Sequence, residues 1–391
     1  MTQTGSTQTP SSGPTHGSTQ TSGSNPISGI LPRPSVAALP AYAAGKPPVP
    51  AEGLTPFKLS SNENPLGPVP AAAEAIATGQ ALHRYPNPGA ENLRAVLAEH
   101  LQVPFEDIVT GTGSLGALTQ IINTFAGTDP SGHQDEVIYA WRSFEAYPIV
   151  VRTAGAKDVT VAVTGDGRHD LPGMLAAITE RTKVILLCTP NNPTGPALSH
   201  TETEEFLQQV PGNVVVVIDE AYQEFVRSSD PVDALDLYRR YPNVVVLRTF
   251  SKAHGLAALR VGYSIAGQPI TQHLRKTAVP FGVNALAETA AIASLQNLEQ
   301  VQERVQQIVE ERQRVTTALA GAGWQIPETQ GNFVWLPLGE AAADFAAAAG
   351  AQALAVRAFA GEGVRVTIGE PEANDRFIAL CRTYSGTGAA G

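Results

Sequence analysis

Lys252 stands directly beyond the apolar run Val244–Leu247, flanked by the hydroxyls of Thr249 and Ser251 and followed by Arg260. A lysine placed where a buried strand ends is desolvated, which favours the neutral amine that attacks carbonyls to form Schiff bases. Most lysines are solvated surface charges, but here the flanking residues reverse the odds. Thr249, Ser251 and the Arg260 guanidinium supply the donors that a phosphate dianion needs. A second run, Val214–Ile218, ends on Asp219, where a lone, partly buried carboxylate is costly unless paired. A protonated pyridine nitrogen suits it, and the ion pair would keep such a ring cationic and able to accept electrons. Lysine, phosphate donors and acid together point to pyridoxal 5′-phosphate (PLP). A magnesium-binding acid of a nucleotide hydrolase also sits at a strand end, but no Gly-x-x-x-x-Gly-Lys-Ser/Thr element precedes Asp219.

Tyr222 lies three residues beyond Asp219, and Asn192 lies in the turn-forming Asn191-Asn192-Pro193-Thr194-Gly195. Both side chains can donate to the phenolic oxygen of such a cofactor. Alone, the first is more often a core aromatic and the second a turn signal. Gly111-Thr112-Gly113-Ser114-Leu115-Gly116 matches Gly-x-Gly-x-x-Gly between the strand-like 108–110 and the helix-like 117–126. A dinucleotide site would want an acid at the end of the next strand, about twenty residues on. That strand, 137–140, runs instead into Trp141-Arg142-Ser143-Phe144. The loop reads better as backbone N–H groups at a helix start holding one phosphate. Phe144 offers a face for a pyridine ring, a contact contributing roughly 0.5–1.5 kcal/mol. Arg365, in a strand-like segment, needs an anion: a substrate carboxylate gripped by two parallel hydrogen bonds, or an internal Asp or Glu. None of the eight histidines has a ligand-like partner spacing, so no metal is assigned.

The elements that must position these groups follow from the apolar pattern. The runs 184–188, 214–218 and 244–247 read as buried strands, each preceded by a helical or turn segment such as 171–179 or 202–209. That pattern predicts an α/β sandwich with a largely parallel sheet, whose ligands sit beyond the carboxyl ends of the strands. The polar motifs fall at those ends. Residues 284–320 have helical composition and lead into a second, α+β part, with strands at 332–336 and 364–368 and a helix at 340–349 between them. The expected organisation is a low-complexity tail over 1–29 and an arm over 30–70 that packs on the small domain or a partner subunit. A large domain over 71–285, a small domain over 286–384 and a short tail over 385–391 complete it.

The chain has 391 residues, 43% of them hydrophobic, and no apolar run long enough to span a bilayer. A formal charge of −10 without a basic patch disfavours nucleic acid and anionic membranes as partners. Two cysteines, Cys188 and Cys381, indicate neither a disulfide framework nor a thiolate cluster. The first residues, almost all Thr, Ser, Gly, Gln and Pro, are expected to be disordered and lack the pattern of an export signal. A cytoplasmic location fits these features.

The motifs occur in an order that resembles fold-type I PLP-dependent aminotransferases of the histidinol-phosphate aminotransferase group. They are Ser61-Asn62-Glu63-Asn64-Pro65, Arg84-Tyr85-Pro86, the glycine loop, the Asn191–Gly195 turn, Asp219-Glu220-Ala221-Tyr222, the lysine motif, Asn332-Phe333-Val334-Trp335 and Val364-Arg365-Val366-Thr367. The resemblance runs from about Ile30 to Tyr384. It implies a three-layer large domain around a mostly parallel sheet, a smaller α+β domain and a homodimer. It also implies that Lys252 carries the cofactor and moves the Cα proton, that Asp219 pairs with the ring nitrogen, and that Asn192 and Tyr222 hold the phenolic oxygen. Gly113, Ser114, Thr249, Ser251 and Arg260 would hold the phosphate with Tyr85 from the second subunit, and Phe144 would stack on the ring. Asn332, Arg365 and Tyr42 would hold the substrate.

Departures bear on the substrate. In histidinol-phosphate enzymes the segment matching Trp141–Tyr147 usually reads Pro-Thr-Tyr-Ser-Met-Tyr. Here it reads Trp-Arg-Ser-Phe-Glu-Ala-Tyr, similar to the bacterial aromatic amino acid (phenylalanine) aminotransferase branch, as are residues 277–281 and 356–359. The loop between Arg357 and Arg365 is short, which puts Arg357 in question as a ligand of a substrate phosphate. The implied reaction is ping-pong amino transfer between an aromatic amino acid and a 2-oxo acid such as 2-oxoglutarate. Alternatives within the fold are histidinol-phosphate transamination and decarboxylation of an amino-acid phosphate. A PLP-binding regulator would carry a DNA-binding domain, and the polar tail offers none.

Overall fold

The apolar runs are unbroken because both of their faces are covered. In the computed structural model, Val216 and Ile218 pack into one cluster of buried residues, while Val215 and Val217 pack into a second. Val244 and Val246 divide from Val245 and Leu247 in the same way. A strand that alternates between two cores has no polar face to show, so its sequence reads as continuous hydrophobicity. Described are residues 31–384 apart from 40, 43, 44, 46, 80 and 81. The expected low-complexity tail and the segment 385–391 lie outside the described residues.

The chain enters through the helix Pro34–Ala37 and the strand β1, Phe57–Lys58. Seven strands then form the main sheet: β2 (Ile108–Gly111), β3 (Glu136–Trp141), β4 (Lys157–Ala162), β5 (Thr182–Cys188), β6 (Val215–Asp219), β7 (Val244–Thr249) and β8 (Gly262–Ile265). Their order is β2-β8-β7-β6-β5-β3-β4, and β8 alone runs against its neighbours. The expected mostly parallel three-layer sandwich is what forms. The helices Gly113–Phe125, Ala146–Ala154 and Gln268–Thr277 send residues such as Ile121, Val151 and Leu274 into one core. Helices including Glu91–Leu101, His200–Leu207 and Ala285–Leu295 cover the other face through Leu97, Phe206 and Ala290.

The helical stretch expected over 284–320 is two helices, Ala285–Leu295 and Leu298–Gly321. Asn284 caps the first through the Ala287 N–H, as an N-cap asparagine should. Asn297 breaks the run, with φ −124° and ψ 41° and its side chain turned back to the Ala293 carbonyl. The second helix carries the same core on to a three-stranded antiparallel sheet of β9 (Phe333–Gly339), β11 (Arg357–Phe359) and β12 (Glu362–Thr367). The two-residue strand β10 (Leu354–Ala355) pairs in parallel with β1. The arm also touches the main sheet's helices, where Arg33 donates to the Thr153 carbonyl. Among the described residues no helix is long and apolar enough to cross a membrane.

The helix expected to begin at Ala117 begins at Gly113, inside the glycine loop. Gly113 has φ +75°, and a Cβ there would lie 2.6 Å from Arg260 Nη2. The glycine therefore leaves the room that the guanidinium occupies. Gly262, facing Gly111 and Thr249 in the ladder, is equally confined: a Cβ would lie 2.5 Å from the Ser114 amide nitrogen and 2.8 Å from the Arg248 carbonyl oxygen. Both are backbone atoms. Gly262→Ala should therefore cost about 1–3 kcal/mol of stability by overpacking. An unchanged urea midpoint would show that this approach tolerates a methyl group.

Candidate active site

The register of the parallel strands brings the chemistry to one edge. Cys188 at the end of β5 stands opposite Asp219, and Asp219 opposite Leu247. The loops that follow open onto a cavity of about 350 Å³, and its wall includes Ser114, Phe144, Asn192, Asp219, Tyr222, Thr249, Ser251, Lys252, Arg260 and Arg365. Ten residues spread over 114–365 thus meet in one space.

Asp219 is 6% exposed. Tyr147, buried in the helix Ala146–Ala154, donates to its Oδ2 at 2.7 Å. Its Oδ1 is buried and has no partner among the described residues. Burial dominates, pushing the carboxyl up to about 6 against the opposing effect of the Tyr147 hydroxyl and the Ala221 amide. The same cause acts on Lys252 with the opposite sign. Burial, reinforced by Arg365, brings its amine down to about 7. Near neutral pH a large fraction is thus a free nucleophile. Its Nζ donates to the Ser61 carbonyl at 3.0 Å.

Two amides hold the opposite wall. Asn62 Nδ2 donates to the Tyr222 hydroxyl at 3.0 Å, which leaves that hydroxyl its own proton to give into the cavity. Burial pushes the Tyr222 phenol up to about 12. Asn192 accepts from Arg365 Nη1 through Oδ1, and its amide NH₂ remains as a donor. The neighbouring Asn191 fixes this turn: it accepts from Ser143 at 2.7 Å and donates to Thr194 and to the Arg142 carbonyl. The segment Trp141–Tyr147 and the Asn191–Gly195 turn are therefore one unit.

At the other end of the cavity Ser114 lies in the first turn of the helix Gly113–Phe125, where backbone N–H groups are unsatisfied by the helix itself. Arg260 Nη1 donates to Ser251 Oγ at 3.2 Å and to the Ala257 carbonyl. It makes no ion pair among the described residues. A helix start, two hydroxyls and an uncompensated guanidinium make an anion cradle. Phe144 is half-buried, its ring set edge-on to Tyr147 at 5.6 Å.

Four expected site residues stand differently from the rest. Asn332 is fully buried but does not line the cavity: its Nδ2 donates to the Asn62 carbonyl at 3.1 Å, so its side chain serves the wall and not the space within it. Gly113 acts through the space it leaves for Arg260. Tyr85 is 83% exposed and packs on Phe281 with ring centroids 4.8 Å apart, away from this chain's cavity. Tyr42 reaches the cavity rim while 56% exposed. Sequence reasoning gave no role to Asn62, Tyr147, Glu145 or Asn191. Their motifs were visible, but nothing local said what they would touch. Arg365 makes no ion pair with a carboxylate among the described residues; its Nη2 donates to the Ser60 carbonyl at 2.8 Å.

These residues fit PLP. The unpartnered Asp219 oxygen asks for a cationic N–H, the cradle at Arg260 for a dianion, and the Lys252 amine for a carbonyl. Fold and site together define an enzyme built around a reactive lysine and a phosphorylated carbonyl cofactor. Residues 55–379 match the description of the class I and II aminotransferases, and the chain belongs to that family. It is 50% identical over 353 residues to an aromatic amino acid aminotransferase of Streptomyces avermitilis, covering 90% of this chain and 97% of that one. A protein of the same description from Thermobifida fusca is also 50% identical, over 90% of this chain and 96% of its own length. Among solved structures, histidinol-phosphate aminotransferase from Sinorhizobium meliloti in complex with pyridoxal 5′-phosphate superposes with a TM-score of 0.75 at 27% identity, covering 83% of this chain and 89% of that one.

The electrostatics give a test that needs no turnover. In the folded chain Asp219 binds its proton more tightly than its ordinary value near 3.8 allows. The folded state therefore holds more protons between about pH 4 and 6, and stability falls as pH rises through that window. Above it the penalty is complete, on the order of 3 kcal/mol. Stripped of cofactor, Asp219→Asn should melt above wild type at pH 8, with the gap closing toward pH 4. With PLP added the order should reverse, because the variant loses the charge that a pyridinium pairs with. If the cofactor-free proteins melt together at pH 8, the carboxylate is not desolvated as described.

Proposed function

We propose that this chain catalyses amino transfer between an aromatic L-amino acid and a 2-oxo acid such as 2-oxoglutarate, with PLP as its cofactor. The observation that carries the reading is the pairing, in one cavity, of a Lys252 amine brought down to about 7 with a buried Asp219 oxygen that has no hydrogen-bond partner among the described residues.

When bound, PLP supplies a carbonyl that condenses with amines and a ring that accepts electrons as the substrate Cα–H bond breaks. Asp219, fixed by Tyr147, keeps that ring protonated. Tyr222 and Asn192 donate to its phenolic oxygen. Ser114, Thr249, Ser251 and Arg260 would hold its phosphate, with Phe144 beside them in the cavity wall. Lys252 would hold and move the substrate Cα proton, a general acid–base role suited to an amine brought down to about 7. Arg365 takes the substrate carboxylate, with Asn192 and the Ser60 carbonyl holding its guanidinium in plane. Tyr42 closes the rim.

The aromatic preference is supported by the relatives from Streptomyces and Thermobifida and by the cavity itself. Arg357, the remaining cation of the wall, is held by Glu145 at 2.7 Å, which leaves it ill suited to a substrate phosphate. We further propose a cytoplasmic homodimer in which Tyr85 completes the partner's phosphate cradle. Its support is the exposed apolar set Leu82, Tyr85, Val279 and Phe281. The proposed division is an arm over 30–70, a large domain over 71–285 and a small domain over 286–384.

Lys252→Ala should show no borohydride-reducible adduct with PLP and amino transfer at background; an adduct in that variant sinks the assignment. With 2-oxoglutarate as acceptor, phenylalanine and tyrosine should be far better donors than histidinol phosphate. A preference for histidinol phosphate overturns the aromatic reading, and carbon dioxide release moves the chain to the decarboxylases.

A further inference from the structure

The cavity wall holds one more arginine than the proposed amino transfer uses. The antiparallel ladder of β11 and β12 sets Arg357 directly opposite Arg365, and both line the cavity. Like charges directly opposite in a ladder repel. One carboxylate, Glu145, pairs with Arg357. Glu145 receives Arg357 Nη2 at 2.7 and 3.0 Å and Arg357 Nε at 3.3 Å. Its charge also favours the cationic form of Arg365, which Arg357 opposes. The Arg357 side chain is only 14% exposed, so this is not a loosely held surface pair. The ring of Phe359 lies 5.3 Å from the Arg357 guanidinium, and Arg142, itself paired with Glu362, lies 5.2 Å from the same ring. The pair is therefore packed in place.

We propose that Glu145 is a specificity-determining residue: by occupying Arg357 it cuts the positive charge beside Arg365 to what one carboxylate needs, and so turns away substrates whose side chain ends in a phosphate monoester. The inference rests on the reading of this cavity as an amino-acid site. Arg357, Arg365 and Glu145 together carry one net positive charge, which the substrate carboxylate matches. A phosphate monoester adds about −1.5 to −2 charges at neutral pH and meets the Glu145 carboxylate at close range. An aromatic ring adds none. A single distal carboxylate meets a weaker form of the same repulsion. Without Glu145, two opposed guanidiniums form a receptor for a dianion.

The test uses the holoenzymes of wild type, Glu145→Gln and the double variant Glu145→Gln/Arg357→Gln. Two quantities are read: inorganic sulfate binding by calorimetry, and kcat/KM for histidinol phosphate relative to phenylalanine. Glu145→Gln should bind sulfate about tenfold more tightly and raise the ratio by at least about tenfold, mainly through KM for histidinol phosphate. The double variant should return both toward wild type. Unchanged sulfate binding and an unchanged ratio in Glu145→Gln overturn the proposal, as does a gain that survives loss of Arg357. Failure of the underlying reading looks different: wild type then transfers no amino group from phenylalanine, while sulfate binding still reports on the charge at Arg357.

Discussion

The rest of the site is organised around a carboxylate that the protein itself only half satisfies. Asp219 ends the central strand β6 with both faces of the sheet covered, so water does not solvate it, and Tyr147 answers one of its oxygens. The other has no partner among the described residues. A buried charge is tolerated when something of opposite sign meets it. Desolvation pushes Asp219 toward its neutral form, up to about 6, just as it pushes the Lys252 amine toward its own, down to about 7. A cationic ring breaks that symmetry, because it restores the charge on the acid while leaving the amine free to act. The fold thus uses one low-dielectric cavity to shift an acid and an amine in opposite directions.

Holding that cavity together requires segments that are remote in the chain. Arg365 on β12 bonds to the Ser60 carbonyl and to Asn192, and Asn62 bonds to Tyr222. The arm is locked to the same strand, since the Thr367 N–H donates to the Leu59 carbonyl and the Asn62 N–H to Thr367 Oγ1 at 2.9 Å. The side chain proposed to grip the substrate carboxylate is therefore bonded to Asn192, the residue proposed for the cofactor's phenolic oxygen.

This explains what was legible in the sequence. Lys252, Asp219 and Asn192 follow apolar runs, and strand ends in parallel sheets are where such chemistry collects; the structure brings all three to one cavity. Arg260 was legible through its closeness to Lys252, and the strand pattern through continuous hydrophobicity. Contacts across the chain left no local mark. Tyr147 reaches Asp219 across 72 residues, and Asn62 reaches Tyr222 across 160. Asn332 was expected at the substrate only through the family resemblance, and its amide N–H donates to the Asn62 carbonyl. The break at Asn297 also escaped, because composition reports helix-forming residues without saying where one helix must turn.

Charge accounting inside the cavity shows why a chain of net charge −10 can still receive two anions. Four basic side chains, Lys252, Arg260, Arg357 and Arg365, line it. Burial takes much of the charge from Lys252, and Glu145 cancels that of Arg357. What remains is Arg260 at the helix start and Arg365 on β12, the two cations proposed for a phosphate and a carboxylate. The cavity wall also includes Phe144, Ala221 and Tyr222, surfaces that suit an uncharged ring. Selectivity here comes less from adding a binding group than from neutralising one that the scaffold already presents.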